Sequence, residues 1–181
     1  MTWSPAPAES TTSTSTEEGG PGDRPRVLVG GLGYRNLRDG SVGIHVIERL
    51  AERAGNGVEV EDVSYHPVGL TQNLQDRPGY DRVVLVAAVA RGRPPGTVTA
   101  YRWDGELPDN EEIQTRVSEA VTGVISLDNT LIVCGALGGF PDDVCVVEVE
   151  PGSEQWGEEL SPEIEERLPE IVEAVWSSTR P

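Results

Sequence analysis

The chain has 181 residues, 14 of them arginine and none lysine, against 31 acidic side chains, for a formal net charge of −17. This length fits one domain, and 36% hydrophobic residues suffice for a core. So acidic a chain repels phosphate backbones, which argues against general nucleic-acid or anionic-membrane binding. Two cysteines, Cys134 and Cys145, make neither a disulfide framework nor a metal knuckle, and both sit in apolar runs as small core residues. No apolar run approaches the ~20 residues of a membrane span, and the first 25 residues lack the features of a signal peptide, so a cytoplasmic protein is expected.

Residues 1–25 are rich in Ser, Thr, Pro, Glu and Gly and read as a disordered tail, with Trp3 their only large aromatic. Residues 26–178 read as a single α/β domain. Val27-Leu28-Val29-Gly30-Gly31 is a short apolar run bounded by glycines, as a parallel strand covered on both faces would be. After a glycine loop, Val42, Val46, Ile47 and Leu50 repeat at helical spacing over 41–53, with Ser41 placed to cap the first turn. Residues 58–63 alternate apolar and acidic side chains, a strand with one wet face. A short helix over 68–74 ends before Pro78-Gly79, and Val83 to Val89 is the most apolar run, a central strand.

Thr97 to Trp103 is β-branched and aromatic, and its close return after Pro94-Pro95 predicts antiparallel pairing with the strand before it. Helical stretches follow over 109–117 and 126–137, then a strand over 143–149. A closing helix over 161–177 opens on Ser161-Pro162-Glu163, with an interruption at Pro169. The pattern βαβαββααβα predicts a three-layer α/β sandwich: a twisted, mostly parallel five-stranded sheet with helices on both faces and one antiparallel edge.

Tests for common chemistries mostly fail. Gly31-Leu32-Gly33 sits between strand and helix as a dinucleotide fingerprint does, but Asn36 stands where the third glycine belongs, and Asp62 lies too far along to bind the ribose. A nucleotide-binding module is the weakest reading. No Gly-x-Ser-x-Gly elbow or Walker loop occurs. Of the two histidines, His45 lies within a helix, and His66, in a loop after a strand, is the better functional candidate.

Several pieces in one order do resemble a family. Gly31-Leu32-Gly33 followed by Asp39-Gly40-Ser41-Val42-Gly43, Val58 to Asp62, Pro95-Gly96-Thr97-Val98, Glu150-Pro151 and Leu160-Ser161-Pro162 together resemble the [NiFe]-hydrogenase maturation endopeptidases. The resemblance implies a sheet between helix layers, a hydrogenase large subunit precursor as partner, and cleavage of its carboxyl-terminal extension. It also implies three side chains that recognise nickel already held by the substrate. These would be a carboxylate after the turn aspartate, an aspartate ending the third strand, and a histidine near a buried helix. Here those positions are Gly40, Ala87 (or Ala88) and the histidine-free stretch 126–128. Glycine and alanine offer nickel no donor.

The expectation is therefore a protein with no metal of its own and with Asp39 and Asp62 as its catalytic candidates. Both fall at the carboxyl ends of neighbouring strands, where one cleft would take them. Each also has a structural reading: Asp39 holding the glycine loop, Asp62 ending a strand. Gly31, Gly33, Gly40, His66, Asp128 and Asn129 are the candidate substrate-binding residues. Loss of the nickel-ligand positions keeps a second function open, a non-proteolytic assembly factor that binds the large subunit or a maturation partner.

Overall fold

The computed structural model describes residues 25–180. The expected tail therefore lies outside the described residues, Pro25 excepted. Five strands form one sheet: β1 (Val27–Gly31), β2 (Val58–Asp62), β3 (Arg82–Ala88), β4 (Val98–Arg102) and β5 (Val144–Val149). Five helices accompany them: α1 (Val42–Leu50), α2 (Pro67–Asp76), α3 (Asn110–Val121), α4 (Leu127–Ala136) and α5 (Pro162–Ser177). Short 3₁₀ turns flank α1 at Arg38–Ser41 and Ala51–Arg53.

The strand order is β2-β1-β3-β5-β4, parallel except for β4. Strand alternation divides the core between the two faces. Val27 and Val29 of β1, Val84 and Val86 of β3, and Val147 and Val149 of β5 pack against α1 and α5. Leu28, Leu85 and Val146 point the other way, against Leu70 and Leu74 of α2 and Leu127 and Leu131 of α4. Helices on both faces of a mostly parallel sheet make the expected three-layer sandwich.

One pairing differs from expectation. β4 lies antiparallel against β5, with Val98 opposite Val149, and not against β3. The reason is burial. All but one residue of β5 are buried, so that strand takes an interior place, whereas three of five in β4 are exposed, which suits an edge. Ser161 holds the N-cap position of α5 ahead of Pro162, but its hydroxyl and that of Ser41, expected to cap α1, bond elsewhere. Ser41 Oγ donates to the Arg38 carbonyl (2.6 Å), and Ser161 Oγ donates to Asp39 Oδ2 (2.8 Å), so neither hydroxyl caps its helix. Pro169 sits inside α5 without ending it. Cys134 is buried and Cys145 half-buried, both as free thiols.

No described helix is long and apolar enough to cross a membrane.

Candidate functional site

The carboxyl ends of β1 and β3 lie side by side, and the chain leaves them through loops that diverge over the start of α4. Between these elements is a cleft of about 250 Å³. Ala87 and Ala88 come from the end of β3, Gly33 and Gly40 from the loop after β1, and Leu127 and Asp128 from α4. The fold thus gathers Gly40, Ala87, Ala88 and the 126–128 stretch into one place. The tight packing of the first loop has a steric cause. A Cβ on Gly31 would stand 2.3 Å from the Gly43 carbonyl oxygen, and one on Gly33 would stand 2.2 Å from that of Gly40. These glycines allow backbone to meet backbone; Gly31 does not line the cleft.

Tyr34 spans the mouth. Its hydroxyl accepts a hydrogen bond from the Ile125 amide (2.6 Å) and donates to the Gly123 carbonyl (3.3 Å), which ties the first loop to the α3–α4 connection. Only two lining residues carry carboxylates, Asp128 and Glu154. Among the described residues, no three His, Cys, Asp or Glu side chains group as metal donors. Two carboxylates among glycine, alanine and aliphatic side chains do not make a donor set that fits nickel.

The two aspartates expected to share this cleft lie apart from it. Asp39 is fully buried beneath the loop. Its carboxylate accepts hydrogen bonds from the Gly152 (2.8 Å), Ser153 (2.7 Å) and Ser161 (2.7 Å) amides and from the Ser161 hydroxyl. A carboxylate so saturated, with no exposed surface, holds the loop after β1 in place. Asp62 ends β2 on the outer surface, accepting from the Ser64 amide (2.9 Å) and pairing with Arg35 (3.3 Å).

His66 is the N-cap of α2, its Nδ1 accepting from the Val68 amide at 3.2 Å, and it does not reach the cleft. Asn129 is buried behind the cleft wall, its Oδ1 accepting from Arg116 (3.2 Å) while its Nδ2 has no partner. Of the expected residues, then, Gly33, Gly40 and Asp128 come together at the cleft.

Sequence reasoning missed the polar network beside it. Glu148 and Glu150, at the end of β5, are both about 4% exposed. They hold the loop that leaves β3. Arg91 pairs with Glu148 (2.9 Å) and reaches out to Asp128 (2.8 Å); Arg93 pairs with Glu148 (2.7 Å) and Glu150 (3.1 Å). Glu150 also accepts the Arg91 and Gly92 amides. Burial pushes the Glu148 carboxyl up, but the bonds from Arg91 and Arg93 outweigh it and hold the group below its ordinary value. Tyr101, which donates to Glu148 at 3.2 Å, is pushed up to about 12 by burial and by that neighbouring charge. The available signal was the matched spacing of Arg91-Gly92-Arg93 and Glu148-Val149-Glu150.

The comparisons with known proteins agree on one relationship. The family model described as hydrogenase maturation protease matches residues 44–178. The solution structure of an endopeptidase from Escherichia coli is 25% identical, covering 86% of this chain and 92% of that one, with a TM-score of 0.62. The hydrogenase maturating endopeptidase HybD of E. coli is 24% identical over the same shares, with a TM-score of 0.64. A hydrogenase 2 maturation peptidase from a Thaumarchaeota archaeon is also 24% identical, covering 85% and 97%, with a TM-score of 0.61. No curated protein sequence matches. With the family model matching from within α1 to the end of α5, well over half of the chain, this chain belongs to the hydrogenase maturation protease family.

Proposed function

We propose that this protein acts in the maturation of a [NiFe]-hydrogenase by receiving the carboxyl-terminal extension of the large subunit precursor in the cleft at the ends of β1 and β3. The observation that supports this most is the family match over residues 44–178, which includes the β3 and α4 walls of that cleft. If the peptide is cut, a cleft carboxylate must orient the water, and Asp128 and Glu154 are the two at hand. Asp128 pairs with Arg91 at 2.8 Å, which holds the carboxylate in place. The protein brings no metal of its own to this step.

A second reading has a specific observation behind it. Among the described residues the cleft offers the carboxylates of Asp128 and Glu154 and no group of three donors for the precursor's nickel. That suits an assembly factor which holds the large subunit without cutting it.

Incubation with the nickel-loaded precursor, read by intact mass, separates the two. A shortened product that disappears with Asp128→Asn or Glu154→Gln supports the protease. An unchanged mass with a stable complex leaves the assembly factor, and no complex at all overturns both.

A further inference from the structure

Arg38 combines three properties that do not serve the free protein. Its φ is +41°, a left-handed backbone conformation that costs any residue other than glycine. Surrounding bonds hold it there: Arg38 N donates to the Gly157 carbonyl (2.8 Å), and Gly157 N donates to that of Asn36 (2.9 Å). Its stem lies across Gly157, where a Cβ would come within 3.1 Å of Arg38 Cγ and Nε. Its Nε is buried and has no hydrogen-bond partner. In a chain with 31 acidic residues, every other described arginine from Arg26 to Arg167 has a carboxylate within 4.0 Å, and Arg38 has none.

The setting is the rim of the cleft. Leu37 and Gly40, on either side of Arg38 in the chain, line it, as does Glu154 from the facing loop. Trp156, next to Gly157, is 78% exposed, and Tyr34 is 37% exposed. Trp, Tyr and Arg are the residue types that most often carry the energy of a protein interface. Backbone strain of this kind clusters at active sites, ligand clamps and switch regions.

We propose that Arg38 is a specificity residue that binds a carboxylate of the polypeptide partner. This rests on the functional reading above, in which that partner is the large subunit precursor. The planar guanidinium fork matches a carboxylate in two parallel hydrogen bonds, and an arginine without a carboxylate partner on so acidic a protein is a local foothold for an anionic group. The carboxylate is either an acidic side chain or the chain terminus, and the experiment tells them apart.

The test measures precursor binding and thermal stability together for the wild type, Arg38→Gly and Arg38→Lys. Glycine suits the left-handed backbone, so Arg38→Gly should raise Tm by about 2–4 °C. It should also weaken binding about tenfold or more, as loss of a charge-assisted pair does. Arg38→Lys keeps the charge without the fork and should recover part of the affinity. Against precursors with single Asp→Asn or Glu→Gln changes, or an amidated carboxyl terminus, one change should weaken the wild type but add nothing in Arg38→Gly, and that change names the carboxylate. Binding by Arg38→Gly within about twofold of wild type overturns the proposal. So does weaker binding accompanied by a lowered Tm, which would mark a merely structural residue. A wild type that binds no precursor overturns the functional reading and this inference with it, whereas failure at Arg38 alone leaves the reading standing.

Discussion

The Asp39 carboxylate accepts four hydrogen bonds from residues more than a hundred positions away, at Gly152, Ser153 and Ser161. It joins the loop after β1 to the segment between β5 and α5 from a buried position outside the cleft lining. Ser161 shows how. Its backbone amide and hydroxyl at the start of α5 both donate to Asp39, where a helix cap would have that hydroxyl accept. Removing the acceptor leaves several buried donors unpaired, at about 1–3 kcal/mol each. We expect Asp39→Ala to destabilise the domain by about 3–5 kcal/mol, enough to lower Tm by roughly 10 °C or more in thermal unfolding. Precursor binding measured well below the new Tm should stay near wild type. A stable Asp39→Ala protein that has lost binding would return Asp39 to the site.

At the scale of elements, the helices and strands were largely legible because each carries its own period. Val42, Val46, Ile47 and Leu50 spell out α1, and all four are buried. The partner of β4 was not legible. Its nearest neighbour in sequence is β3, but the choice of neighbour is made by β5, whose Val144, Val146, Val147 and Val149 need cover on both faces. Likewise, Asp39 and Asp62 both end up near strand ends, yet one turns inward and the other outward, a difference that no periodicity in the loop reports.

The Arg91–Arg93 loop was hidden for the same reason: its anchors Glu148 and Glu150 lie over fifty residues along. Its behaviour with pH follows from Glu148. That carboxyl sits below its ordinary value when folded, so the native state binds a proton less readily than the unfolded chain does. The stabilisation is present above the ordinary carboxyl range and is lost as pH falls through the folded value. Glu148→Gln should therefore cost about 2 kcal/mol at neutral pH, and the gap in Tm between variant and wild type should close as the pH is lowered towards 3. A gap that is constant from neutral to acid would show that packing, and not the charge, holds the loop.

The whole molecule sets an acidic surface around a cleft walled by Gly33, Gly40, Ala87, Ala88 and Leu127. Such a cleft gains by excluding water from an apolar segment of its partner. It gains little from a cation, because its carboxylates are few and Asp128 already faces Arg91. Nickel bound by the precursor should then be invisible to this protein. The expected result is equal affinity for nickel-loaded and nickel-free precursor, within about twofold, when both are titrated under the same conditions. Direct addition of Ni²⁺ to the protein alone should leave its Tm unchanged, since a ligand that binds only the folded state raises stability in proportion to the logarithm of its saturation. A preference of about tenfold or more for the loaded precursor would mean that the metal is sensed after all, through donors contributed only once the partner is seated. Equal binding would place the maturation checkpoint elsewhere, with this chain recognising the shape and charge of the extension.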